Sequence, residues 1–589
     1  MRPPADKPDD APPADVKPDR RTRRTWVPRA AAWIIGLSGL LDISSVFMPR
    51  LARRLARFGQ FLPAADQYGA ASATVIFAGV LLLLLTRGLR RRKNRAYQVT
   101  LVVLFVAALA HVARDHRVVP AIASLALLAA LVVYRREFYA APDPRTRWGA
   151  LALFFTLVPA SVLSGLALLA VRSRSLVGPH PFSAELEHVV LGLVGVDGPL
   201  QFRGTKFDHF LSSGLFVLGV LTGLTTLYLI LRPAEPLGSL GSDDETRLRE
   251  LLAKHGAADS LGYFALRRDK SVLWSPTGKS AITYRVVSGV MLASGDPLGD
   301  SEAWPGAIKV FLDEAERHAW VPAVIGCSER AAEVWSREAD LDALEFGDEA
   351  VLDVATFSLE GRPMRNVRQM VNRVERADFA ATVCKVGDLP KERIESLSAQ
   401  ASSWASTETE RGFSMALGRL GDPADAECVI AVAELEGRAR AVLHFVPWGP
   451  DGLSLDLMRR DRTAMPGLNE FLIVETFKAA ERLGFHRVSL NFAVFRSALE
   501  RGERIGAGPI LRAWRGVLVF LSRWFQIETL YKFNAKLLPE WQPRFVCFPS
   551  MRDVPRIAIA ALEAEAFINW PKFSWHWLRP WRRAFQRGA

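Results

Sequence analysis

The sequence predicts a multi-pass α-helical membrane domain followed by an α/β cytosolic domain built of two similar halves. Three observations carry this expectation. Half of the 589 residues are hydrophobic, and the long apolar windows crowd before about residue 232. After that point strand-like and helix-like patterns alternate, as they do in α/β folds. The alternation then repeats, which implies a tandem duplication, and a chain of this length is expected to form two or three units.

Residues 1–24 are rich in Pro, Asp, Lys and Arg and have little to bury, so they read as a disordered basic tail. RRTRR before Trp26 is a poor signal-peptide start, because the apolar segment after it is too long and lacks a small-residue cleavage site. Residues 25–232 form the expected transmembrane domain. Its six spans lie at about Arg29–Met48, Ala70–Thr86, Tyr97–Ala113, Val118–Tyr134, Trp148–Val171 and Phe210–Leu231. Several are near the short limit for crossing about 30 Å of hydrocarbon. Lys and Arg concentrate in the tail, in Arg87–Arg95 and between spans four and five, which places those segments inside and everything after Arg232 in the cytoplasm. RLARRLARF (Arg50–Phe58) falls outside in this scheme and suits an interfacial amphipathic helix. HVVLGLVGV, in the loop before the sixth span, suits a re-entrant or interfacial helix. Asp42 and His111 are polar groups within spans, either inward-facing and functional or simply placed at the interface.

Residues 233–243 have the Pro and Gly content of a linker. A first half, 244–385, opens with a helix at Asp244–His255. Strands YFALRR, VLWS and AITYRVVSGVMLASG follow, then a helix at Trp304–His318 and the strand VPAVIGC. A second half, 386–569, has a helix at Glu392–Ser403, strands CVIAVAELEG, ARAVLHFVPW and LSLDLMRR, a helix at Leu468–Leu483 and the strand RVSLNFAVF. LRAWRGVLVFLSRWFQ can pack a core through Val517, Phe520 and Leu521, and its Trp and Arg also suit a membrane surface. The tail 570–589, with WPKFSWHWLRPWRR, reads as an interfacial anchor or an RNA-contacting tail, the anchor favoured.

Net charge is +13, from 75 Lys and Arg against 62 Asp and Glu, which suits anionic partners such as RNA or anionic headgroups. Cys327, Cys384, Cys428 and Cys547 have neither CxxC nor Cys/His spacing, so a zinc site or disulfide framework is not indicated and a reducing compartment fits. A P-loop is absent, and no GxGxxG follows a strand.

Candidate chemistry concentrates between Leu453 and Phe545. Asp456 and Arg459 interrupt an apolar strand three residues apart. Regular pleating would put them on opposite faces, so the strand is expected to stop near Leu457 or bulge. The strand at Arg487–Phe495 runs into Arg496 and Glu500, and Lys536 follows in KLLPEW. Arg362, Arg365, Arg368, Asn372 and Arg373 lie in GRPMRNVRQMVNR; on a helix Arg365, Arg368 and Asn372 share one face, either a phosphate cradle or a solvated basic surface. Ser294–Asp300 (SGDPLGD) reads as a tight turn without assigned chemistry. Glu408–Phe413 is a loop that either lines an acceptor pocket or has no chemical part.

Taken in order, SGDPLGD, FSLEGRPMRNVRQMVNR, SLDLMRR, LNFAVFRSALE and KLLPEWQPRF resemble the catalytic domain of phosphatidylglycerol lysyltransferases, the multiple peptide resistance factor family. The likeness spans roughly Leu237–Phe567 and is strongest to the amino-terminal part of mycobacterial lysyltransferase–lysyl-tRNA synthetase two-part proteins. It implies two fused GNAT-like (acyltransferase) folds, with the second carrying the catalytic residues. It also implies transfer of an aminoacyl group, lysyl above all, from aminoacyl-tRNA to the glycerol hydroxyl of phosphatidylglycerol. The product would be a cationic lipid that gives resistance to cationic antimicrobial peptides. Aminoacyl-tRNA is then the co-substrate, with no cofactor or metal. The resemblance ties Asp456, Arg459, Glu500 and Lys536 to catalysis: Asp456 for the amine, Glu500 for the amine or the attacking hydroxyl, Lys536 for the oxyanion or lipid phosphate. The segment around Glu500 departs from the family's usual wording. Expected partners are membrane lipid, aminoacyl-tRNA and, since no synthetase-like sequence follows, a separate synthetase as supplier; a homo-oligomer is compatible. The expected location is the bacterial plasma membrane, with the transferase domain in the cytoplasm. Alanine or another amino acid, another lipid acceptor, or a lipid transporter or scaffold with an inactive transferase half are the alternatives.

Overall fold

The structure is a computed structural model; residues 1–27, 41–80, 406–411, 495–526 and 568–589, with short breaks elsewhere, lie outside the residues it describes. The chain divides into two compact units, Met1–Ala234 with Arg317–Ala319, and Glu235–Glu316 with Trp320–Ala589.

In the first unit the described helices are α1 (Asn94–Asp115), α2 (Val118–Val133), α3 (Pro144–Val171), α4 (Phe182–Leu193) and α5 (Thr205–Leu231). Helices α3, α4 and α5 pack through close approach and hydroxyl contacts as well as apolar side chains. Here Ser161 Oγ of α3 lies 3.4 Å from Thr222 Oγ1 of α5. Gly219 lets α5 touch α4, since a Cβ there would sit 1.9 Å from the Leu193 carbonyl oxygen. Leu169, Val189, Leu211 and Leu215 fill the space between these three helices. Among the described residues, Leu153–Val171 is long and apolar enough to cross a membrane, and Phe210–Thr226 is apolar but shorter. The HVVLGLVGV stretch begins within α4. Asp42, Arg50–Phe58 and most of the first two expected spans lie outside the described residues, as does the side chain of His111.

The second unit is organised on one continuous sheet of twelve strands. They are β1 (Ser271–Trp274), β2 (Ser280–Val287), β3 (Val290–Ser294), β4 (Leu298–Gly299), β5 (Val321–Cys327), β6 (Asp342–Asp353), β7 (Ala380–Lys385), β8 (Val429–Leu435), β9 (Arg438–Trp448), β10 (Gly452–Arg460), β11 (Arg487–Val494) and β12 (Glu540–Phe548). Their order is β1-β2-β3-β5-β12-β6-β11-β10-β9-β8-β7, with β4 on β2. The helices are α6 (Ser242–His255), α7 (Trp304–His318), α8 (Glu329–Ala339), α9 (Arg365–Glu375), α10 (Lys391–Ser403), α11 (Leu468–Lys478), α12 (Ile527–Ala535) and α13 (Val554–Ala564).

The β12–β6 pair divides the order into four strands on one side and five on the other. Each side carries one parallel pair, β3 with β5 and β10 with β11. The two halves read from the sequence are therefore not separate sheets. Strand β6, from the first half in sequence, pairs with β11 of the second; β12, from the end of the second, pairs with β5 of the first. Period-2 patterning locates strands but says nothing about which edge they join. YFALRR is not a strand: Gly262–Leu266 is a buried 3-10 turn, because all five residues go into the core and no face is left for solvent. Two apolar layers cover the sheet beside the second half. One holds Leu443, Phe445, Leu455, Leu468, Phe471 and Leu537. The other holds Phe264, Leu417, Cys428, Val442 and Val446.

Candidate active site

The parallel pairs differ between the halves. Strands β3 and β5 stay paired over all five residues of β3, Val290 to Ser294. Strands β10 and β11 share only three rungs, Gly452–Arg487, Leu453–Val488 and Ser454–Ser489, although β10 runs on to Arg460 and β11 to Val494. They part beyond Ser454 and Ser489.

A bulge on each strand starts the split. On β10, Leu455 pairs with Phe445 and Leu457 with His444, so Asp456 is an extra residue. On β11 the register against β6 shifts between Ser489 and Phe492, and Asn491 there takes a left-handed conformation with φ 64°. An extra residue bends a strand and sharpens its twist, which is how two neighbours come to diverge. The Asn491 side chain covers part of the loss: its Nδ2 donates to the Leu455 carbonyl, which has lost its ladder partner. From α12, Asn534 Nδ2 donates to the Leu490 carbonyl at 3.4 Å.

The bulge also corrects the expectation that β10 stops near Leu457. The strand continues, and because one residue is inserted, Asp456 and Arg459 come to the same face. Arg459 registers with Val442, which lies on the sheet face that carries His444, and His444 contacts Asp456.

Asp456, expected to hold the ligand amine, is engaged by two partners inside the protein. Its Oδ2 lies 2.7 Å from His444 Nδ1, and its Oδ1 accepts from the Leu417 backbone N–H at 2.6 Å. The His444 side chain is fully buried and that of Asp456 is 5% exposed. Burial alone would keep His444 neutral; the Asp456 carboxylate, with Cys428 alongside, outweighs it and pushes the imidazole up to about 10. His444 Nε2 is buried with no hydrogen-bond partner. Sequence reasoning missed His444, because a histidine inside ARAVLHFVPW looks like part of a strand core. Its alternation with Val442 and Val446 was the one available signal.

Through Leu417 the pair holds the Gly412–Leu417 segment, which also contacts the first half. At the other end of that segment, Glu565 accepts from the Phe413 N–H at 2.7 Å and from the Ser414 N–H at 3.0 Å. Arg267 donates to the Ala416 carbonyl at 3.0 Å and to that of Gly412. Lys270, fully buried, lies 4.6 Å from the centre of the Phe413 ring and donates to Ser294 Oγ at 2.7 Å. Burial, with Arg267 adding to it, brings Lys270 down to about 7. Glu408 lies outside the described residues.

Lys536 is on the other side of the sheet. Its Nζ lies 3.3 Å from Glu470 Oε1 of α11, beside Phe533 and Leu537. The Lys536 side chain is 39% exposed and that of Glu470 is 8%. The α9 residues belong to this side as well, since Val367, Val371 and Val374 bury against the same apolar layer. Arg362, Arg365, Asn372 and Arg373 are exposed. Arg368 departs from the expected cradle: it turns back to cap the Leu359 and Gly361 carbonyls. Glu500 lies outside the described residues. The structure thus puts Asp456 and Arg459 on one face and Lys536 with the α9 arginines on the opposite face.

SGDPLGD belongs to a buried polar network where the halves meet. The Asp296 carboxylate accepts from the N–H and Oγ of Ser328 at the start of α8, at 2.7 and 2.6 Å. Burial and the neighbouring Asp259 raise Asp296 to about 7. Arg544 of β12 binds Asp259 at 2.8 Å and Glu349 of β6 at 2.5 Å. Among the described residues no cluster of His, Cys, Asp or Glu has metal-ligand geometry, and Cys327, Cys384, Cys428 and Cys547 are free thiols.

Against known proteins, residues 249–548 match the family described as phosphatidylglycerol lysyltransferase, C-terminal. Residues 23–230 match the one described as the transmembrane region of lysyl-tRNA synthetase. The chain is 40% identical, over 93% of its length, to the lysylphosphatidylglycerol biosynthesis bifunctional protein LysX of Rhodococcus opacus, of which it covers 49%. To the protein of the same name from Rhodococcus jostii it is 44% identical over 77% of its length, covering 40% of that protein. The chain spans about half the length, or less, of these curated relatives. The solved structure of L-PGS from Bacillus licheniformis aligns with a TM-score of 0.48 at 22% identity, covering 57% of this chain and 98% of that one.

Proposed function

Because the chain belongs to the phosphatidylglycerol lysyltransferase family, we propose that it moves a lysyl group from aminoacyl-tRNA to the glycerol hydroxyl of phosphatidylglycerol. It does so as a multi-pass protein of the bacterial plasma membrane with the transferase unit in the cytoplasm. The observation that supports this reading best is the opened β10–β11 pair, which shares three rungs where the β3–β5 pair shares five.

The reaction exchanges one ester for another. The lipid hydroxyl oxygen bonds to the aminoacyl carbonyl carbon, a tetrahedral oxyanion forms, and the bond to the tRNA ribose oxygen breaks, with the proton passing to that oxygen. The protein must hold two large anions in register and stabilise the oxyanion. Two such substrates crowd one another on one surface. Where strands part, groups approaching from opposite faces can meet, and the site residues do sort to opposite faces. On one, Arg459 has no ion-pair partner among the described residues and offers its guanidinium to the oxyanion or a phosphate. On the other, Lys536 and the exposed α9 arginines suit the second anion. The His444–Asp456 pair holds the Phe413–Leu417 segment over the first face.

Mass spectrometry of lipid extracts from cells expressing the chain tests the proposal. Lysyl-phosphatidylglycerol, gained with the wild type and lost with Arg459→Ala, is the expected result. Extracts with no aminoacylated lipid, from cells in which the protein is folded and in the membrane, would overturn it.

A further inference from the structure

A polar recess of about 390 Å³ lies between α10 and the β8–β9 hairpin, lined by Arg393, Gln400, Trp404, Arg438, Arg440 and Asp461. Strand register puts it on the same face as Asp456 and Arg459. Arg440 is itself a bulge residue, skipped where Ala433 pairs with Ala441 and Glu434 with Ala439, but Ala439 of the lining and Leu397 of α10 belong to the apolar layer that holds Val442, and Val442 pairs with Arg459. The Asp461 N–H bonds the Arg440 carbonyl at 2.8 Å, so the recess lies directly beyond the end of β10.

Its charges do not cancel. Arg393 is paired with Glu434, and Arg440 Nη1 with Asp461 at 2.8 Å. Arg438 is exposed and makes no ion pair among the described residues, and Arg440 Nε is buried without an acceptor. A surplus guanidinium beside a buried, unfilled N–H is a site for an anionic oxygen. The remaining wall is of another kind. Trp404 packs partly on the apolar layer and is half-buried, and Gln400 is steered by Ser396, with its Nε2 3.0 Å from Ser396 Oγ. An indole and a carboxamide next to arginines match a base and its phosphate better than a bare phosphate.

We infer that this recess takes one nucleotide of an RNA strand, its phosphate on Arg438 and Arg440 and its base against Trp404. The choice of RNA rests on the aminoacyl-tRNA donor proposed above. The strand would then run along the face that carries Arg459, with its acylated end toward the split between β10 and β11.

The test is equilibrium binding of uncharged tRNA to the full chain in phosphatidylcholine nanodiscs, which does not require the transfer reaction. Arg438→Ala is expected to weaken binding about tenfold and to lower the slope of log K on log salt by about 1. Trp404→Ala weakens it by a similar factor, and Trp404→Phe restores most of the loss. In transfer assays Arg438→Ala raises KM for aminoacyl-tRNA and leaves KM for phosphatidylglycerol unchanged. Folded variants that bind tRNA like the wild type overturn the inference. So does a loss confined to phosphatidylglycerol-containing vesicles, which would make the recess a headgroup site. Loss of tRNA affinity upholds the recess even if no aminoacylated lipid is ever formed, an outcome that sinks only the transfer proposal.

Discussion

Asp456 and His444 form a buried pair, 2.7 Å from Oδ2 to Nδ1, and the other oxygen of the same carboxylate holds the Leu417 backbone N–H at 2.6 Å. One bulge residue thus ties strand β10, strand β9 and the segment that crosses them. Asp456→Asn keeps the shape but leaves the imidazole without its counter-charge. Breaking a buried pair from one side costs about 3–5 kcal/mol. We expect a clear drop in melting temperature and faster proteolysis near Phe413–Leu417, read by limited digestion; an unchanged cleavage pattern would show that the pair does not hold the segment.

Two buried bases give opposite pH slopes. His444 is raised from 6.5 to about 10, so its contribution is complete below pH 6.5 and is lost as pH climbs through 10. Lys270 is lowered from 10.5 to about 7, so its contribution is complete above 10.5 and is lost as pH falls through 7. The slopes oppose one another in the same interval, and the wild type should be nearly flat from pH 7 to 10. Lys270→Met should expose a stability that falls with pH there, and His444→Gln one that rises. Thermal melts across that range decide the matter, and parallel curves for all three proteins would contradict it.

Arg544 neutralises Glu349 and Asp259 in the centre of the sheet. Arg544→Met strands both carboxylates and should cost about 3–5 kcal/mol. Adding Glu349→Gln should recover part of that. A double-mutant cycle of unfolding free energies that shows no coupling would mean the network is not acting as a unit.

Lys536→Ala is expected to lower kcat by about 10²–10³ if the ammonium faces developing charge. Because Glu470 is buried beside it, the same variant also loses stability. Glu470→Gln frees Lys536 without removing it and should keep most of kcat while the melting point falls. Equal kcat losses in the two variants would reduce Lys536 to a structural partner.

The fold class was legible because its signals are local. Apolar, β-branched and aromatic runs such as AITYRVV and VLHFVPW became β2 and β9, and Trp304–His318 became α7 with the expected ends. The exchange of β6 and β12 was not legible, since a strand's own residues satisfy any neighbour of suitable register. Gly262–Leu266 misled for a related reason: an apolar run without alternation fits a buried turn as well as a strand.

At the site, Asp456 and Arg459 stood out because charge inside an apolar strand is costly and therefore conspicuous. Their shared face depends on one inserted residue, which pairing with β9 alone reveals. By itself the sequence determined the apolar first part, the α/β second part and the residue types available for holding anions. The tertiary structure alone decided that the second parallel pair opens, that Asp456 contacts His444 and Leu417, and that Lys536 lies across the sheet from Arg459. Composition and spacing act along the chain, whereas register, strand exchange and burial are settled by contacts between residues tens to hundreds of positions apart.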